Sequence, residues 1–79
     1  MLWFFDRADQ TLRLETRYDN DTREFVAVIR WPDGREQIER FTEIRDFRRW
    51  LVALDHILEF AQWKPTSPVI LPYGWPNKR

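Results

Sequence analysis

Apolar residues in the first 41 positions recur mainly at every second place, and from Thr42 onward they recur at every third and fourth. A period of two belongs to strands with one face in a core, and a period near 3.6 to a helix carrying an apolar stripe. The chain therefore reads as a group of strands followed by one helix. One helix has one apolar face, so it can cover one face of a sheet and must leave the other.

Strand character falls on residues 2–5, 11–18, 24–31 and 35–41, with turn-forming residues between them. Asp19-Asn20-Asp21-Thr22 and Pro32-Asp33-Gly34 are rich in side chains that bond their own backbone or tolerate a left-handed φ. Connections this short join antiparallel neighbours, so the expected order is a 1-2-3-4 meander. A four-residue loop at 19–22 sets Arg17 opposite Glu24, Leu14 opposite Ala27 and Leu12 opposite Ile29. The core face then carries Leu12, Leu14, Thr16, Phe25, Ala27 and Ile29, and the other face carries Arg13, Arg17, Val26, Val28 and Arg30. In the next hairpin, Pro-Asp-Gly favours a three-residue loop with a bulge at Gly34. That loop pairs Trp31 with Arg35, Phe25 with Phe41, Val28 with Ile38 and Val26 with Arg40. Val26, Val28 and Ile38 thus form an apolar strip on the face away from the core.

The helix is expected from about Glu43 to Gln62, with Thr42 as N-cap and Lys64-Pro65 ending it. Its apolar stripe is Ile44, Phe47, Trp50/Leu51, Leu54, Ile57/Leu58 and Ala61, which leaves Asp55, His56 and Glu59 toward solvent. Phe25, Ile29, Phe41, Phe47, Leu51, Leu54 and Leu58 are the expected core. Residues 64–79 carry Pro65, Pro68, Pro72 and Pro76 around Val69, Ile70, Leu71, Tyr73 and Trp75. Such a segment is extended, and its apolar content suits docking on the domain or on a second subunit. The expected architecture is α+β: a four-stranded antiparallel meander and one helix on one sheet face in a domain of residues 1–63, then an extended segment 64–79.

Composition narrows the function. The chain has 79 residues, no Cys, one His and two Gly. No phosphate-cradling glycine loop, thiolate cluster or nucleophile–base pair can be assembled from it, so no catalytic chemistry, metal or other cofactor is expected. Thirteen basic residues balance thirteen acidic ones and are interspersed with them, which argues against a duplex-DNA binder. No apolar run is long enough for a membrane span, and absence of Cys fits a reducing, cytoplasmic setting.

A chain this short has a thin core, and without disulfides or metals it gains apolar burial most directly by oligomerising. The leading expectation is a small non-catalytic protein-interaction module, homodimeric, with Val26, Val28, Ile38, Val69, Ile70, Leu71, Tyr73 and Trp75 as interface residues. The alternative is single-stranded nucleic-acid binding by Arg13, Arg17, Arg30 and Arg40 on the open sheet face, beside Trp3 or Phe4. Four antiparallel strands and a helix over residues 2–62 resemble, in element order, the architecture of Whirly and PUR-type single-strand binders. That likeness lies in architecture and transfers no residue. Glu15, Glu24, Glu36 and Glu39 interleave with the arginines and favour cross-strand ion pairs instead.

Overall fold

The structure is a computed structural model that describes residues 1–66. It contains β1 (Leu2–Arg7), β2 (Gln10–Asp19), β3 (Glu24–Arg30), β4 (Glu36–Phe41), α1 (Ile44–Phe60) and a short β5 (Lys64–Pro65). All neighbours are antiparallel, in the order β4-β3-β2-β1-β5, so the expected meander is present with a two-residue strand added on the far side of β1. The expected interface residues Val69, Ile70, Leu71, Tyr73 and Trp75 lie outside the described residues.

The β3–β4 register is the expected one: Phe25 pairs with Phe41, Val28 with Ile38 and Arg30 with Glu36. Gly34, at φ +93°, takes the left-handed bulge position, its N–H donating to the Trp31 carbonyl while the Trp31 N–H donates to Arg35. The β2–β3 register differs from expectation by two residues. Leu14 faces Ile29, Arg17 faces Val26, and Asp19 rather than Arg17 faces Glu24. The Asp19 carboxylate accepts from the Asp21 and Thr22 N–H groups, which makes Asp19 the last strand residue and moves the loop to 20–23. Arg23 closes the loop in a left-handed conformation, φ 58°, and Tyr18 meets Phe25 edge-on across the strands at 4.9 Å. A shift of two leaves every side chain on its expected face.

Trp3, Phe5, Leu12, Leu14, Ala27 and Ile29 from the sheet and Leu51, Leu54, Leu58 and Trp63 from the helix side form the enclosed core. Phe25, Phe41 and Phe47 were expected there. They are half-buried instead and stack with Trp50 as a chain of rings, 5.2–5.8 Å between centroids, along the β3–β4 end of the helix. Asp55 was expected toward solvent, yet it is buried, because it lies one turn from both Leu51 and Leu58 and so shares their side of α1. Ile57 falls off that side and is 61% exposed.

Both helix ends differ from expectation. Glu43, not Thr42, takes the N-cap position, without a side-chain hydrogen bond to the first turn. At the other end the Trp63 N–H donates to the Leu58 carbonyl (2.8 Å) and the Gln62 N–H to Glu59 (3.0 Å), with Gln62 left-handed at φ 67°. This is a Schellman turn, with Trp63 and Leu58 making its apolar contact in the core. It reverses the chain and delivers Lys64–Pro65 to β1, where Pro65 pairs with Phe5 and the Thr66 N–H donates to Phe4 (3.0 Å). A proline is accommodated there because β5 is an edge strand.

Two stability predictions follow from these contacts. Leu58→Ala is expected to cost about 2–5 kcal/mol in chemical denaturation, and Arg45→Ala, exposed on the helix, within about 0.5 kcal/mol of nothing. Gln62→Gly, which removes a β-carbon from a left-handed position, is expected to raise stability by about 0.5–1 kcal/mol, seen as a higher midpoint. A lower midpoint would show that Gln62 contributes something its backbone conformation does not account for.

Candidate interaction surfaces

Cross-strand pairing places Leu2, Phe4 and Asp6 of β1 in line with Glu15, Arg13 and Thr11 of β2, and β3 and β4 continue those rows. The face turned away from α1 therefore has an apolar row, Leu2, Val28 and Ile38, interrupted by Glu15. Beside it runs a charged row, Arg13, Arg30 and Glu36, led by Phe4. Trp3 points to the core, so of the two aromatics considered for this face only Phe4 belongs to it.

The three aliphatics of the expected strip are not equivalent. Val26 is buried, although no helix among the described residues lies over it; its direct cross-strand neighbours are Arg17 and Arg40, whose aliphatic stems are the groups placed to shield it. Val28 is half-buried, and Ile38, on the outermost strand, is 52% exposed. The uncovered part of the strip is therefore at β4.

Arg13, Arg17, Arg30 and Arg40 do share this face, and three of them are engaged by carboxylates. Arg13 and Arg30 stand directly opposite one another, an unfavourable like-charge pairing, and each has an acid beside it: Arg13 pairs with Glu15 at 3.6 Å and Arg30 with Glu36 at 2.8 Å. Arg40 lies between Asp19 (3.6 Å) and Glu24 (3.2 Å). Among the described residues Arg17 enters no ion pair. These pairs are exposed and worth little individually, but together they cancel most of the positive field an oligonucleotide would need.

On the helix side, two concavities are lined wholly by described residues. The larger, about 720 Å³, opens between the first half of α1 and the near ends of β1–β3, floored by Trp3, Phe25, Phe47 and Leu51 and edged by Arg17 and Arg48. Its polar edge also includes Thr16 and Tyr18. The smaller, about 340 Å³, lies between the β3–β4 turn and the end of α1. There the Arg7 guanidinium sits 4.4 Å from the Trp63 ring centre and donates to the Ala61 carbonyl at 3.2 Å. Arg7 thereby fastens the helix C-terminus to β1 through a cation–π contact and a charge-assisted hydrogen bond. Among the described residues no three His, Cys, Asp or Glu side chains gather as a metal site would require, and His56 is exposed. No helix there is long and apolar enough to cross a membrane.

The chain matches no protein-family model, no curated protein and no solved structure.

Two turn carboxylates supply a pH-dependent element. The Thr22 and Asp21 N–H groups, with Arg40 beyond them, hold the Asp19 carboxyl below its ordinary value of 3.8, and the Arg35 N–H and guanidinium do the same for Asp33. A carboxyl whose pKa is lowered by folding stabilises the fold fully above its unfolded value, and that contribution is lost as pH falls through its folded value. The thermal midpoint of the parent is therefore expected to exceed that of Asp19→Asn at about pH 7, the gap closing as the solution is acidified below about pH 4. A gap independent of pH would show that the ionised carboxylate is not what holds this turn.

Proposed function

We propose that this protein is a small, non-catalytic protein-interaction module that associates with a second copy of itself at the β4 side of the sheet, where the apolar row of Val28 and Ile38 ends. The observation that carries this reading is the half-bare apolar row at Val28 and Ile38 on a face that no described helix or strand covers. A domain of this size has little core of its own, and each 100 Å² of apolar surface removed from water contributes roughly 2.5 kcal/mol before the costs of association. Self-association is the direct route to that burial. Such a module would act in the cytoplasm.

Single-stranded nucleic acid is the competing partner for the same face. The carboxylates beside Arg13, Arg30 and Arg40 weigh against it, since each would have to be displaced by a phosphate.

Light scattering on the full chain at micromolar concentration is expected to give twice the monomer mass, and Ile38→Glu to give the monomer mass with unchanged far-ultraviolet circular dichroism. Ile38 is exposed in the single chain, so its replacement tests association without opening the core. A parent of monomer mass overturns the self-associating reading. Submicromolar, salt-sensitive binding of a labelled single-stranded oligonucleotide, lost in Arg17→Glu, would put nucleic acid in its place.

A further inference from the structure

Within the β3–β4 hairpin the Trp31 N–H donates to the Arg35 carbonyl at 2.9 Å. In an antiparallel ladder, residue pairs that exchange hydrogen bonds alternate with pairs that do not. Counting from Trp31 and Arg35, the bonded pairs are Ile29–Gln37, Ala27–Glu39 and Phe25–Phe41, and the intervening pairs are Arg30–Glu36, Val28–Ile38 and Val26–Arg40. The backbone N–H and C=O groups of Gln37, Glu39 and Phe41 are therefore turned to β3. Those of Glu36, Ile38 and Arg40 are turned outward, and among the described residues β4 is the last strand in the sheet on that side.

This outward row reads the same way against itself. If a second β4 runs antiparallel to the first with the two Ile38 residues opposite each other, Glu36 of each copy meets Arg40 of the other, and Gln37 meets Glu39. All six outward groups on each strand then have a partner, making six inter-chain hydrogen bonds. Ile38 abuts Ile38 on the face where Val28 already lies beside it, so the two apolar rows become one. Glu36, paired with Arg30 inside its own chain, gains a second guanidinium from across the seam. Sliding by one residue either way centres the seam on Gln37 or Glu39. The first slide sets Ile38 against Glu36, and the second sets Glu39 against Glu39 and Ile38 against Arg40. Only the Ile38-centred register brings opposite charges and like apolar groups together.

We infer that two copies of this chain join edge to edge through β4, in the register centred on Ile38, to form one continuous sheet about a two-fold axis. The inference rests on the self-associating reading above and specifies its geometry. An isologous seam of this kind uses the same five residues, 36–40, from each subunit, which is why the charge pattern of β4 must be complementary to its own reverse.

Sedimentation of the full chain and three variants tests it. Ile38→Pro removes an N–H that faces outward, so the ladder to β3 keeps its bonds while the seam loses two; the mass is expected to fall by half. Glu36→Arg and Arg40→Glu each set like charges against one another twice in a self-pair, and each is expected to sediment as a monomer. Mixed in equal amounts, the two variants offer opposite charges at both positions and are expected to return to the dimer mass. This mixing result does not depend on whether Ile38→Pro folds. If the parent is a dimer but Ile38→Pro stays dimeric while folded, or the mixed variants stay monomeric, edge pairing is wrong and self-association stands by some other surface. If the parent is a monomer, edge pairing and the self-associating reading are overturned together.

Discussion

Everything in this small domain depends on one helix closing one face of a five-stranded sheet. Leu51, Leu54 and Leu58 have to seal Leu12, Leu14, Ala27 and Ile29 from water, and among the described residues there is no second helix and no cross-link to share the task. At roughly 1.5 Å per residue the 17 residues of α1 give about 26 Å of cover. What the helix does not reach is completed by aromatic rings at its two ends. Phe25, Phe41, Phe47 and Trp50 fill the space at the start, and Trp63, just past the Schellman turn, fills it at the finish. The use of tryptophan at positions 3, 50 and 63 has its explanation here, since rings of this size enclose more apolar area per residue than any aliphatic.

The electrostatic design follows from the same economy of elements. With α1 committed to one face, the other carries arginines and carboxylates in alternation, and their stems do part of the work of a covering layer. Val26 is the clearest case: a valine on the face without a helix is nevertheless shut away from water. The turns are held by carboxylates as well, Asp19 binding two backbone N–H groups in the 20–23 loop and Asp33 binding Arg35 through both its backbone and its side chain. Charge thus shapes loops and shields one aliphatic on a chain whose net charge is zero.

Strands, their faces and the bulge at Gly34 were legible in the sequence because each rests on a local rule: alternation, turn composition, and the conformational freedom of glycine. The β2–β3 register was not, because the side chain of Asp19 could bond as a turn residue or as the last strand residue, and that choice moves the loop without disturbing the alternation. Burial of Asp55 and exposure of Ile57 were missed for a different reason. Apolar spacing fixes the width of a helical stripe, but its centre is set by how the helix rolls on the sheet, which depends on Trp3, Phe5 and Trp63 far away in the chain. The Schellman turn at Gln62 left no sequence signal, since glycine, the usual mark of such a turn, is replaced there by a residue held left-handed by its surroundings. Of the candidate surface, the positions of Val28 and Ile38 could be read in advance, whereas the outward aim of the β4 backbone needed the hydrogen-bond phase of the hairpin.

Lys64–Pro65 adds only two residues to the sheet, yet its position matters more than its length. Together with the Thr66 N–H it lies along Phe4–Asp6, on the opposite edge from β4. A sheet with both edges bare can grow without limit, each newcomer offering a fresh edge to the next, and this is how soluble folds drift into fibres. A short strand that ends in proline, laid over one edge, removes the template for such growth on that side. The backbone segment that follows the helix is thus a cap on that edge as much as a strand.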